Sequence, residues 1–222
     1  MPAKRKELKI EGANLWYLVG LITSDGCLSG DGRHIDITSK DYEFLSRLKD
    51  TLGFTNKIGT KNNDRVNQAY YLQFSNKNFY EFLVSIGLTP NKSLSLSSLN
   101  IAKELFGDFF RGLIDGDGSI RRWVHPSNNN EQWSLRIYSG SEKFINWLNI
   151  AAEQLLKVRG KVHKNANNTW VLKYGKMAAK QIAEQCYYKD CFGLDRKIKL
   201  AQECIHSYAG WSKSKTISPF CS

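Results

Sequence analysis

Along the first hundred residues the apolar positions change period several times, and each change marks an element. Leu18 to Ile22 is apolar apart from Gly20 and reads as the closing turns of a buried helix, with Asn14 as its N-cap and Gly26 as its stop. A short strand at 27–29 and the turn Ser29-Gly-Asp-Gly32 follow, and Ile35 and Ile37 then alternate with polar residues over a strand at 33–39. Phe44, Leu45 and Leu48 have helical spacing within 41–52, and Gly53 ends that run. Strands at 56–61 and 68–75 flank the polar loop 62–67, and a helix carrying Phe79, Phe82, Leu83 and Ile86 stops at Gly87. Residues 88–93 read as irregular.

The pattern then starts again. Leu18-Val-Gly-Leu-Ile-Thr-Ser-Asp-Gly26 returns as Phe110-Arg-Gly-Leu-Ile-Asp-Gly-Asp-Gly118, with Gly118 as the second stop. Strands are expected at 118–125 and 132–139, a helix at 141–158, strands at 161–165 and 169–174, and a helix at 175–187. Ile35, Phe44, Leu48, Leu72 and Phe74 recur in kind one hundred positions on, as Leu135, Phe144, Leu148, Leu172 and Tyr174. The fold class is therefore α+β, two pseudo-symmetric αββαββα repeats, divided as 1–99, 100–207 and a polar tail at 208–222.

The repeated stretch carries the chemistry. Gly20 with Ser24, and Gly112 with Gly116, put small residues four apart on one helix face, so two backbones could approach there. Packing through those faces would bring Asp25 and Asp117 together at one end. A carboxylate at a helix C-terminus opposes the macrodipole, and two in proximity repel, so the pair calls for a cation.

Those two nine-residue boxes resemble the name motif of the LAGLIDADG homing endonucleases, in the single-chain, two-repeat form. The resemblance covers about residues 14–207. It implies motif helices paired at a pseudo-symmetric interface and an antiparallel sheet saddle over double-stranded DNA. It also implies a monomeric endonuclease that cuts a long pseudo-palindromic site across the minor groove, with a role in intron homing. It further implies Mg²⁺ held by Asp25 and Asp117 and the backbone carbonyls of Ser24 and Gly116; Mn²⁺ would substitute, and Ca²⁺ would bind without efficient cleavage. A lysine after the last helix of each half would stand in a solvent-filled pocket by the scissile phosphates, which nominates Lys92 and Lys197. Thr23 departs from the acid often found sixth in the motif. Arg111 and Asp115, charged within the second motif, read as interface caps or ion pairs.

Charge points the same way. The 222 residues hold 32 Lys plus Arg against 21 Asp plus Glu, a net +11 that suits a polyanion. The chain shows no apolar run long enough for a bilayer and no secretory pattern behind its basic start, and its five cysteines form no CxxC pair, so an intracellular, reduced protein is expected. In the strands, the parity opposite the apolar residues offers Ser119, Arg121, Trp123 and His125, then Ser134, Arg136 and Tyr138, then Lys173. The first half offers His34, Asp36 and Thr38, Lys61, and Tyr71 and Gln73. Such a ribbon of donors, acceptors and aromatics fits a DNA groove. Two other readings share the fold: an intron-RNA-binding splicing maturase, and a DNA-binding regulator without catalysis. The intact Asp25 and Asp117 favour the nuclease.

Overall fold

The computed structural model describes residues 10–61 and 68–207, so Asn62–Asn67 and the expected C-terminal tail fall outside the described residues. The first half runs α1 (Gly12–Asp25), β1 (Gly26–Leu28), β2 (His34–Ser39), α2 (Tyr42–Thr51), β3 (Ile58–Lys61), β4 (Ala69–Ser75), α3 (Lys77–Ser85) and a single turn α4 (Lys92–Ser95). After a 3-10 turn at Lys103–Leu105 the second half follows. It comprises α5 (Phe106–Asp115), β5 (Gly118–Val124), β6 (Glu131–Ser139), α6 (Glu142–Leu155), β7 (Lys161–Lys164), β8 (Trp170–Tyr174), α7 (Lys176–Cys186) and α8 (Asp195–His206). Each half builds one antiparallel four-stranded sheet, in the orders β1-β2-β4-β3 and β5-β6-β8-β7. This is the two-repeat α+β plan.

Local chemistry explains the repetition. Asp41 caps α2 by accepting from the Phe44 N–H at 3.0 Å. Its counterpart one repeat on, Ser141, caps α6 by accepting from the Phe144 N–H at 3.3 Å. Asn76 does the same for α3 through the Phe79 N–H at 2.9 Å. In both sheets the inner parity, Ile35, Ile37, Leu72 and Phe74 or Leu135, Ile137, Leu172 and Tyr174, is buried against helices. The inner faces of both halves belong to one continuous apolar core.

Helix α1 is apolar on all sides, and every residue from Trp16 to Thr23 is buried, as a helix without a polar face requires. Its main neighbour is α5. A Cβ placed on Gly20 would stand 2.0 Å from the Phe109 carbonyl oxygen, and one on Gly112 would stand 2.2 Å from that of Tyr17. At Gly116 it would meet the Ser24 hydroxyl at 1.9 Å. The two backbones therefore touch along Gly20, Ser24, Gly112 and Gly116.

Several sequence expectations are corrected. Asn14 lies inside α1, and Glu11 occupies the N-cap without a side-chain bond, because the helix starts three residues earlier. Gly26 caps α1, but α5 ends at Asp115 with Gly116 as its C-cap, so Gly118 opens β5 instead of stopping the helix. Neither Gly26 nor Gly118 has left-handed backbone. Glycine is needed there because a Cβ would come within 2.6 Å of the Ile22 Cα and 2.5 Å of the Ile114 Cα. The expected irregular stretch 88–93 ends in α4, entered through Asn91 at φ 55°. The largest omission is α8, whose spacing of Ile198, Ala201 and Ile205 is helical but whose start lacks a side-chain cap to mark it.

Candidate functional site

At the ends of the motif helices the chain places Asp25 as the last residue of α1 and Asp117 in the turn before β5, because α5 closes two residues sooner, at Asp115. Asp25 leans across the interface: its carboxyl carbon lies 3.3 Å from where a Cβ on Gly116 would stand. Both side chains reach solvent, yet protein closes around them closely enough to displace much of their water. The Asp25 carboxyl is pushed up to about 6, first by lost hydration and then by the facing charge of Asp117. Lost hydration raises Asp117 as well. Each carboxylate opens to its own cleft. The Asp25 cleft, about 740 Å³, is walled by Thr38 to Phe44 and by Arg196. That of Asp117, about 80 Å³, is walled by Tyr138 to Gly140, Ser24 and Lys92.

Whether the site suits a divalent cation can be judged from its donors. Among the described residues, neither carboxylate is paired in a salt bridge or hydrogen bond with a side chain, and no cluster of three or more acidic, His or Cys side chains surrounds them. Two crowded, partly dehydrated anions open to solvent fit a hard cation such as Mg²⁺, which prefers one or two carboxylates and completes its shell with water and substrate phosphate. The donor set fits that ion. Ser24 and Gly116, whose carbonyls were nominated alongside, immediately precede the carboxylates and face each other across the interface.

The two nominated lysines occupy equivalent positions. The Lys92 ammonium donates to the Gly26 carbonyl. The Lys197 ammonium donates to those of Ile114, Asp115 (3.0 Å) and Gly118 (2.7 Å). Gly26 and Gly118 are the same motif position, so each lysine fastens the chain just past one carboxylate. Both are buried, Lys92 in the wall of the Asp117 cleft. Burial lowers Lys92 and pulls Lys197 down to about 8. α4 supplies the first and the opening turn of α8 the second.

Beneath the carboxylates runs a buried polar network. Asp115, 1% exposed, accepts from the Tyr17 hydroxyl at 2.8 Å, the Tyr187 hydroxyl at 2.7 Å and the Leu194 N–H at 2.8 Å. Arg111, fully buried, pairs with Asp108 at 2.8 Å and donates to the carbonyls of Phe192 and Cys186, between the rings of Tyr17 and Tyr188. Tyr17 ties the first half to Asp115 and Arg111 of the second, and Asp115 and Leu194 form part of the wall of the Asp25 cleft. Asp115→Ala should therefore cost about 3–5 kcal/mol by stranding three buried donors. Thermal melting would read this as a drop of roughly 6–20 °C, and a drop below roughly 3 °C would show the network to be dispensable.

The outward faces of the sheets hold most of the proposed contact residues. Asp36 accepts from Gln73 at 3.2 Å. Lys61 donates to Thr38 at 2.9 Å and lies over the Tyr71 ring. Ser119, Arg121, Trp123, Arg136, Tyr138 and Lys173 share the equivalent face of the second sheet. Three expectations need correction. Ser134 has the outward parity but is covered completely. The His34 ring is paired with Asp31 at the strand's edge. His125 lies beyond β5, in the hairpin loop, where its ring meets the Ser127 hydroxyl at 2.9 Å. Lys161 was missed, although the alternation of β7 gives it the same parity as Lys173, which it directly opposes.

Residues 13–87 match the family model of the LAGLIDADG-like domain. The chain is 27% identical over 165 residues to an uncharacterized protein of Methanocaldococcus jannaschii, covering 68% of this chain and 18% of that one. It thus spans less than a fifth of that relative's length. Among solved structures it is similar to the meganuclease I-SmaMI bound to uncleaveable DNA, at TM-score 0.59 and 14% identity over 86% of this chain and 89% of that one. It is also similar to I-DmoI in complex with DNA and Ca, at TM-score 0.58 and 18% identity over 86% and 97%. Full-length WhiA of Thermotoga maritima gives TM-score 0.56 and 16% identity over 94% and 65%. At these identities the likeness is one of fold. Among the described residues no helix is long and apolar enough to cross a membrane.

Proposed function

We propose, on the premise that this chain is a two-repeat protein of the LAGLIDADG fold, that it is a site-specific, divalent-metal-dependent endonuclease acting on double-stranded DNA as a monomer. The observation that carries the reading is the pair Asp25 and Asp117, brought together at the end of the helix interface without side-chain partners. A protein that only bound nucleic acid would gain nothing from two crowded anions facing a polyanion. I-SmaMI and I-DmoI, similar in fold, were each determined with DNA, and the net charge of +11 suits the same ligand.

In this reading Asp25 and Asp117 hold the cation, with the carbonyls of Ser24 and Gly116 beside them. Bound Mg²⁺ would supply positive charge to the scissile phosphates and an acidified water. Lys92 and Lys197 hold the carbonyls of Gly26 and Gly118, which fixes the backbone that aims each carboxylate. Outward side chains of the two sheets position the duplex. The direct test is cleavage of a randomised duplex library in Mg²⁺. Defined double-strand products from the parent, absent in chelator, would support the reading, whereas binding without any cleavage in Mg²⁺ or Mn²⁺ would overturn it.

The lysines give a separate expectation. Lys92→Met and Lys197→Met should slow cleavage roughly 10–1000-fold, the range of a lost charge-stabilising or proton-transfer contribution. Because they are buried, affinity in Ca²⁺ and its salt dependence should stay near the parent values. The two strands should slow unequally, so nicked duplex accumulates. Lys197→Met should also melt lower than Lys92→Met, since three carbonyls lose their donor instead of one. Single-turnover cleavage with each strand labelled, beside titrations at several salt concentrations, reads all of this. A salt slope smaller by about one unit with unchanged rates would return these lysines to phosphate contact.

A further inference from the structure

The second sheet carries its positive charge in register. Arg136, Lys173 and Lys161 stand directly opposite one another across β6, β8 and β7, and Ser119 completes the row on β5. Arg121, two residues along β5, opposes Ser134 on the same face. Arg121, Trp123 and Arg136 also line a recess of about 460 Å³ with Ile120 and Arg122. The only acid in these four strands is Glu131, which has the inward parity and pairs with Arg122. Like charges placed directly opposite one another destabilise a sheet, and no carboxylate on that face offsets them.

The first sheet differs at two of these positions and keeps a lysine at the third, where Lys61 stands one hundred residues before Lys161. One hundred residues before Arg136 and Lys173 stand Asp36 and Gln73, bonded to each other. Lys61 is the only lysine or arginine in its strands, and Thr38 holds its ammonium. The repeat thus preserves its core while reversing charge between Asp36 and Arg136.

We propose that the second half is the anchor, with Arg121, Arg136, Lys161 and Lys173 supplying most of the electrostatic grip on the duplex backbone and Trp123 at the rim. The first half, mainly neutral, reads base edges through hydrogen bonds and contributes little grip. After cleavage the second half therefore releases its half-site last. The inference rests on the nucleic-acid reading above and names which residues of that surface carry the affinity.

The test uses the full chain and a mixed-sequence duplex of about two helical turns, titrated by fluorescence anisotropy in Ca²⁺ at several salt concentrations. The triple variant Arg136→Gln, Lys161→Gln, Lys173→Gln should lose about 2.7 units of log–log salt slope and roughly 100-fold in affinity near 0.15 M salt, at about 0.9 units per phosphate contact. Lys61→Gln should lose at most about 0.9 units and about fivefold. The double variant Asp36→Arg, Gln73→Lys should gain slope. The triple variant should melt no earlier than the parent, because it relieves repulsion. A triple variant within about half a slope unit of the parent, or no weaker than Lys61→Gln, overturns the anchor. So does a loss of affinity that comes with a lowered melting temperature, which would make these side chains part of the fold. A parent that binds no duplex at any salt refutes the nucleic-acid reading itself.

Discussion

Asp25→Asn and Asp117→Asn should each lower double-strand cleavage by roughly three orders of magnitude while leaving DNA affinity within a few-fold of the parent. The size follows from the charge a carboxylate lends a hard cation: several kcal/mol of transition-state stabilisation, and about 4 kcal/mol is about a thousandfold. An amide oxygen is a poor substitute ligand. The structure adds an opposite sign for stability. Asp25 is held up to about 6 by lost hydration and by Asp117, so removing either charge relieves a repulsion, and neither variant should melt earlier than the parent in metal-free buffer. Adding Mg²⁺ should raise the melting temperature of the parent more than that of either variant. Cleavage of both strands by either variant at the parent rate would end the assignment. Equal Mg²⁺ shifts in parent and variants would place the cation elsewhere.

Gly20→Ala and Gly112→Ala should be among the most damaging single-methyl additions in the chain. The added carbon would lie 2.0 Å from the Phe109 carbonyl oxygen in one case and 2.2 Å from that of Tyr17 in the other, and both obstacles are backbone atoms of the facing helix. Relief requires moving α1 from α5 by more than an ångström, which opens the core that both halves share. Overpacking of this kind costs about 1–3 kcal/mol in a side-chain core and more when a backbone must move, so about 3–4 kcal/mol is expected. For a chain of this size that is a melting shift of roughly 6–16 °C. Gly30→Ala is the matched control: open space surrounds that position and its φ is ordinary, so its melting temperature should not fall. Parent-like melting of both interface variants would show that the helices do not touch as described.

The two predictions differ in how early they could be seen. The repeat, the small residues four apart and the acid before each motif's closing glycine are local patterns, and a period visible in sequence is enough to place them on one helix face. The helices at 42–51 and 142–155 and the alternating strands were legible for the same reason, from apolar spacing, although the caps were not. Caps such as Asp41 and Ser141 act on amides three residues away, and strand parity is fixed by the pleat. Of the two glycine stops Gly26 was located correctly, whereas α5 already ends at Asp115 with Gly116 as its C-cap. Gly26 and Gly118 are needed as glycine because a Cβ would run into Ile22 and Ile114.

The sequence by itself thus determined the two-repeat α+β plan, the paired helices and the two carboxylates. Tertiary structure decided everything that depends on distance between residues far apart in the chain. It buried Lys92 and Lys197 and turned them onto backbone carbonyls. It enclosed Asp115 among Tyr17, Tyr187 and the Leu194 amide, and covered Ser134 despite its outward parity. It also made the two clefts unequal, about 740 Å³ at Asp25 and about 80 Å³ at Asp117, and set Lys161 beside Lys173. The physical reason is range: hydrophobic period, capping and pleat act within a few residues, whereas burial, desolvation and charge pairing depend on which segments the core brings together.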